Sequence, residues 1–234
     1  MPRETDADAD THGEPSECTP VWEGLQAWYR GEGDAVDEMG ANPGTLVGGA
    51  GFSAGKVGTA FDFRKGGYVE VPSSASLTLP SAVPSSVEGW FVVGEVQGDA
   101  VPLTAVKAFG YGVLLWPDAE GLRPHVHDGV AWLYREGRFR AQADTWHHVV
   151  QVWDGSALDL YLDGATLSFG GLTSGIVEWS AGTPVLIGQW DLRPVRDEVF
   201  KLNGAMDEIR IYSRALSPEE VEHNYQIGAS GVCG

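Results

Sequence analysis

Two acidic segments, far apart in the chain, carry the residues best suited to hold a hard cation. The first, WYRGEGDAVDEMGANPG at residues 28–44, sets Glu32, Asp34 and Asp37 in a glycine-rich loop. The second, GAMDEIRIYSRAL at residues 204–216, reads as a strand with Asp207 near its start. Side chains alternate between the faces of a strand, so Asp207 shares a phase with Ile209 and Ile211. With the isoleucines in the core, Asp207 points to the core as well, where a carboxylate needs a cation or several hydrogen-bond donors. Carboxylates and loop carbonyls are hard oxygen ligands, and a flexible loop suits the longer, more variable bonds of Ca²⁺ better than those of Mg²⁺. The expectation is a bound Ca²⁺ held by Glu32, Asp34, Asp37 and Asp207, tying the beginning of the fold to its end.

The elements that must position these residues are mostly strands. Short β-favouring runs recur at residues 25–29, 60–63, 68–71, 87–93, 101–106, 111–116, 124–127, 130–134, 147–153, 158–162, 166–169, 185–188 and 205–212. Turn signals such as Asp128-Gly129, Asp154-Gly155 and Asp163-Gly164 separate some of them. Many short strands at near-regular spacing mean a sandwich or a barrel, not a parallel α/β sheet. One helix is signalled near the end: Ser217-Pro218-Glu219-Glu220 offers an N-cap, a proline at the first helical position and a capping-box glutamate. Val221 and Tyr225 give it an apolar stripe, and Gly228 is its expected stop.

Composition narrows the class. The chain has 234 residues, nine Trp and a formal charge of −18, without a long apolar run. This fits a well-packed single domain with no membrane-spanning helix. So acidic a surface repels phosphate backbones, and with no Lys/Arg cluster nucleic-acid binding is excluded. Residues 1–17 hold six acids against one base and read as a disordered tail or linker, leaving residues 18–234 as the domain.

Four motifs, WYRGEGDAVDEMGANPGTLVGGAGFSAGKVGTAFDF, GGYVEVPSSASL, WHHVVQVWDGSALDLYLDGA and GAMDEIRIYSRALSPEEVEHNYQIGASGVC, occur in this order between Cys18 and Cys233. Together they resemble the laminin-G-like domains of the concanavalin A-like lectin/glucanase superfamily, in particular its bacterial secreted or surface-attached members. The resemblance implies an all-β jelly roll of two antiparallel sheets, one concave, with one short C-terminal helix. A structural Ca²⁺ is frequent in that family, in agreement with the reading of the acidic segments.

Enzymes of this fold carry closely spaced acids on one concave strand, one to attack and one to protonate the leaving group. No alternating acidic cluster lies within a strand here. Asp159 and Asp163 are four apart, but Asp163 belongs to a turn, and the adjacent Asp207 and Glu208 should face opposite ways. Serine nucleophile elbows, phosphate-binding glycine loops and Cys–His pairs are absent. No catalytic residue is assigned. The remaining signal is aromatic: flat rings stack on sugars while polar neighbours fix the hydroxyls. Trp132 and Tyr134 are in phase, as are Trp153 with Gln151 and His125 with His127, and Tyr161 lies on a neighbouring strand. These seven are expected to line the concave sheet and bind a glycan. The expected function is therefore a non-catalytic, Ca²⁺-stabilised binding module, monomeric within a larger protein or surface assembly. The rivals are an adhesive protein-interaction domain and a polysaccharide-cleaving enzyme.

Cys18 and Cys233 bracket the domain and are its two cysteines. If the ends of the sandwich lie side by side, a disulfide between them would contribute roughly 4–5 kcal/mol in the chain-entropy model. It would also imply an oxidising compartment. The polar start has no signal-peptide core, so the expectation is an extracellular or cell-surface protein whose signal has been removed. Intact mass after alkylation without reductant should show no modified thiol; two alkylated cysteines in the folded protein would refute the pairing.

Overall fold

The structure is a computed structural model that describes residues 19–79, 83–94, 101–107, 111–116, 121–127, 131–134, 137–139, 141–167, 173–176, 182–191, 193, 197 and 199–230. Cys18, Cys233, the acidic segment 1–17 and the Asp128-Gly129 turn lie outside these residues.

Two antiparallel sheets face each other, as the alternating runs require. Among the described residues, the first sheet runs in the order Ala165–Thr166, Leu158–Leu162, His147–Trp153, Ser85–Val93, Gly204–Tyr212, Thr59–Asp62 and Gly51–Ala54, with Leu25–Tyr29 also paired to Gly204–Tyr212. The second runs Thr173–Ile176, Ala131–Tyr134, Gly121–His127, Tyr111–Trp116, Val106–Lys107, Val185–Ile187, Tyr68–Val71 and Thr45–Val47. A separate two-stranded ribbon pairs Gln189–Asp191 with Val199–Lys201. The inner faces supply the core: Val87, Phe91, Val149, Leu160, Met206, Ile209 and Ile211 from the first sheet meet Val69, Val71, Tyr111, Val113, Val185 and Ile187 from the second. Each such side chain contributes about 1.5–3 kcal/mol on burial.

The strand Gly204–Tyr212 departs from simple alternation. Met206 pairs with Phe91 and Asp207 with Trp90, but Arg210 pairs with Glu88, so the register slips by one residue in between. Glu208 takes up the slip with φ at 52°, in the left-handed region. This β-bulge lets Met206, Ile209 and Ile211 all face the core. Asp207 is therefore not in phase with Ile209 and Ile211, contrary to the expectation from alternation. Nor do Asp207 and Glu208 oppose each other, because the extra residue turns both towards the outer face of the sheet.

That outer face is closed by the helix Pro218–Ser230. Ser217 Oγ accepts from the Glu220 N–H (3.3 Å), and Glu220 Oε2 accepts from the Ser217 N–H (2.8 Å), the reciprocal capping expected. Arg214 adds a fork onto the same carboxylate at 2.7 and 2.6 Å. The helix does not stop at Gly228 but runs two residues further. Gly228 instead lies buried against the Trp90 indole, where its missing side chain lets the helix approach the sheet.

Beneath the helix lies an ionised network. Arg210 donates to Glu88 at 3.0 Å and to Glu208, and its guanidinium sits 4.8 Å from the centre of the Trp28 ring. Glu88 also accepts from Tyr212 (3.2 Å) and from Asn224 of the helix (3.0 Å). Trp28 Nε1 donates to Glu208 at 2.9 Å. Burial pushes the Glu88 carboxyl up, but His148 and Arg210 outweigh it and hold it at about 2. Trp28 thus packs beside the outer apolar cluster and covers Arg210 and Glu208.

Removing one partner of a buried ion pair typically costs 3–5 kcal/mol, because the remaining charge stays desolvated. Arg210→Leu would strand two carboxylates and should lower unfolding free energy by about that amount in urea titration. A loss below about 1 kcal/mol would mean that the network does not hold the helix.

Candidate functional site

The four acids expected to share one cation are engaged separately. Glu32 is exposed and takes the Thr59 N–H and hydroxyl at 3.2 Å. Asp34 closes its own turn on the Val36 N–H (3.1 Å). Asp37 is buried and staples the loop: Oδ1 accepts from the N–H groups of Trp28 and Met39 (3.0 Å each), and Oδ2 from those of Ala41 (3.2 Å) and Asn42 (2.9 Å). Asp207 Oδ2 accepts from the N–H groups of Lys56 (2.8 Å) and Val57 (2.9 Å), while its buried Oδ1 has no partner. Among the described residues, no three His, Cys, Asp or Glu side chains converge as a metal-holding group. Backbone amides provide here what a cation was expected to provide, so this ligand set does not fit one ion.

The residues expected to bind a glycan fall on different surfaces. Gln151 points between the sheets, where its side-chain amide donates to the His125 carbonyl (2.9 Å) and accepts from the His125 N–H (3.2 Å). It completes backbone hydrogen bonding inside the sandwich and is not open to a ligand. Trp153 is buried and packs with Leu158. Tyr161 lies on the other face of that sheet, in the cluster with Val150, Val152, Tyr212 and Val221. His125 is buried with its ring 5.7 Å from that of Trp190. For Trp132, Tyr134 and His127 the backbone register alone is described: His125 pairs with Tyr134 and His127 with Trp132. Their side chains lie outside the described residues. No single aromatic platform therefore forms from Trp153, Gln151, Tyr161 and His125: the first three belong to the first sheet, which is covered on both faces, and His125 is buried on the second. All nine residues of each of its central strands, Ser85–Val93 and Gly204–Tyr212, are buried.

The outer face of the second sheet carries a cleft instead. Val69 and Val71 enter the core, so Tyr68 and Glu70 project outward from the same strand, and Leu186 projects beside them. Gly188, with φ at 86°, turns the chain so that Gln189–Asp191 leaves the sheet as the ribbon, whose Trp190 stacks on Phe200 (5.3 Å). Tyr68, Glu70, Thr183, Pro184, Leu186, Gln189, Asp191 and Arg193 enclose about 120 Å³. Gln189 is 3 % exposed. No hydrogen bond reaches its side-chain amide among the described residues. Asp191 is paired by Arg193, whose Nε and Nη2 donate at 3.0 and 2.6 Å. Burial, then the charges of Glu70 and Asp191, push the Tyr68 phenol up. The sequence held part of this site: GGYVEV alternates, and its inward valines imply an outward Tyr68 and Glu70. The ribbon strands were not foreseen.

The family model for the concanavalin A-like lectin/glucanases superfamily matches residues 63–222. No curated protein matches the chain significantly. Among solved structures, the chain is similar to domain 4 of AbnA, a GH43 extracellular arabinanase from Geobacillus stearothermophilus, in complex with arabinotriose. Identity is 22 %, the TM-score 0.65, and the match covers 86 % of this chain and 98 % of that one. It is also similar to the binding domain of botulinum neurotoxin DC in complex with SialylT, at 10 % identity and TM-score 0.61, over 88 % of this chain and 52 % of that one. Trypanosoma rangeli sialidase in complex with the inhibitor DANA matches at 16 % identity and TM-score 0.61, over 90 % of this chain and 35 % of that one. At these identities the likeness establishes the fold. The chain spans about half of the neurotoxin fragment and about a third of the sialidase.

Asp207 offers a direct test of whether its buried carboxyl is protonated or held as an anion. Burial raises its carboxyl to about 8 against 3.8 when unperturbed, with the Val57 and Lys56 amides opposing and Glu208 adding to the rise. From about pH 4 to pH 8 the unfolded chain ionises while the folded one keeps the proton, so stability falls across that window. Asp207→Asn in EDTA should flatten this slope and be more stable than the parent at pH 8, by on the order of 1–3 kcal/mol. A parent more stable than the variant at pH 8, or one whose Tm alone rises with Ca²⁺, would show an ionised carboxylate held by an ion.

Proposed function

Because the chain belongs to the concanavalin A-like lectin/glucanases superfamily, we propose that it is a non-catalytic glycan-binding module whose ligand enters the cleft between the second sheet and the Gln189–Asp191 ribbon. The observation that carries this reading is the composition of the cleft. Leu186 and Pro184 offer apolar surface to the C–H face of a sugar, and Tyr68, Glu70 and Gln189 surround it with hydrogen-bonding groups. The Gln189 amide, buried and without a protein partner among the described residues, donates and accepts at once, as a hydroxyl-rich ligand requires. At about 120 Å³ the space is smaller than the roughly 300–1,000 Å³ of drug-sized sites, so it takes one sugar residue of a longer glycan.

The arabinanase domain supports the reading, since it matches over nearly its whole length and was solved with an oligosaccharide. It is also one domain of an extracellular enzyme, which fits a module that acts outside the cell beside other domains. Catalysis has little support. The carboxylates Glu88 and Glu208, brought together through Arg210, are buried beneath the helix and committed to protein partners. The cleft does not draw on the four acids expected to hold Ca²⁺, which accept backbone hydrogen bonds at separate places.

A glycan array probed with the labelled protein should give binding to at least one oligosaccharide, and titration of that glycan should saturate at one site. Gln189→Ala should weaken it about tenfold, the loss of roughly 1.4 kcal/mol of hydrogen bonding, with Tm little changed. Full binding by the variant would move the site elsewhere, and new reducing ends released from a polysaccharide would replace the module with an enzyme.

A further inference from the structure

The charges around the cleft bear on which sugars it accepts. Glu70 stands on the outward face of Tyr68–Val71, and its cross-strand partners are Thr45 and Leu186, neither of them a cation. Arg193, the one guanidinium among the described lining residues, is spent on Asp191 through its Nε, its Nη2 and its own N–H (2.9 Å). Lys107 approaches the wall from within, but its ammonium donates to the Thr183 carbonyl (2.7 Å) and reaches Ser73 Oγ at 3.4 Å. The described lining thus leaves Glu70 as an uncompensated negative charge, on a chain whose formal charge is −18.

We infer that this cleft selects uncharged sugars and rejects sugar acids, with Glu70 as the residue that sets the selection. The inference rests on the glycan-binding reading and deepens it. A carboxylate accepts but cannot donate, so Glu70 receives two hydroxyl protons of a neutral sugar as charge-assisted hydrogen bonds. A uronate or sialate carboxylate at the same place would offer no proton and a like charge in a half-buried site, where screening is weak. The Tyr68 phenol reports the same field from within the cleft. After burial, the largest cause of its raised pKa is Glu70, followed by Asp191, and Arg193 only partly offsets them. The selection follows from like-charge juxtaposition, a common means of excluding a competitor.

The test uses matched neutral and acidic probes on the folded protein: an array carrying arabinotriose, lactose, sialyllactose and trigalacturonic acid among wider sets of both kinds, followed by calorimetric titration of the best neutral and the best acidic glycan. The acidic glycan is expected to bind at least about tenfold more weakly at low salt, and the gap should narrow between roughly 10 and 500 mM NaCl. Glu70→Gln should move the neutral-to-acidic affinity ratio about tenfold towards the acid, by weakening the first and admitting the second. The salt series on the parent protein carries the test by itself if the variant does not fold. Acidic glycans bound as tightly as neutral ones, or an unchanged ratio in a folded Glu70→Gln protein, would overturn the selection while leaving the binding site in place. Binding of no glycan of either charge would overturn both.

Discussion

One extra residue in the strand Gly204–Tyr212 governs much of the architecture. With Glu208 in a left-handed conformation, Met206, Ile209 and Ile211 stay in the core while Asp207, Glu208 and Arg210 gather on the opposite side. Without the bulge, strict alternation would put either Asp207 with Ile209 and Ile211, or Glu208 and Arg210 with Met206, among the core side chains, at a desolvation cost no partner there offsets. With it, the charges form a network that recruits Trp28 from the first strand, Glu88 and Tyr212 from the central pair and Asn224 from the helix. A buried network of this kind contributes less to net stability than to fixing one arrangement: the helix docks where Asn224 reaches Glu88 Oε1 beside Arg210 and Tyr212.

Closing that face decides where a ligand can go. The first sheet is sandwiched between the core and the helix, so its side chains serve packing, as Trp153 and Tyr161 do, or backbone satisfaction, as Gln151 does. Among the described residues, no helix packs on the second sheet. Its outer surface meets a short ribbon that covers part of it and leaves a cleft along Tyr68, Glu70 and Leu186. The division of labour follows from how each outer face is covered, not from the types of residue each sheet contains.

The sequence made the strands legible wherever alternation was clean, as at Leu25–Tyr29, Tyr68–Val71, His147–Trp153 and Leu158–Leu162, and the capping box announced the helix. The bulge was hidden because an αL residue is rarely a glutamate, and MDEIRI reads as unbroken alternation whichever way it folds. The phase error at Asp207 then passed directly into the expected metal site. Gly228 failed as a helix stop for a related reason: a glycine that ends a helix and one that admits a close neighbour look alike in sequence. The ribbon Gln189–Asp191 and Val199–Lys201 consists of three-residue strands too short to show a period. The acids of the loop read as cation ligands, and Asp37 shows why: composition cannot tell a backbone amide from a cation as the partner.

Asn224 has a second role besides serving Glu88. Its Oδ1 accepts from the Val21 N–H (3.0 Å), and one residue earlier His223 Nε2 donates to the Thr19 carbonyl (2.9 Å). The chain therefore enters and nears its exit at the same spot, over the helix, on the far side of the sandwich from the cleft. A domain suspended this way behaves like a pendant: it can be spliced between neighbours without lengthening the line that joins them, and it presents its cleft away from the stem.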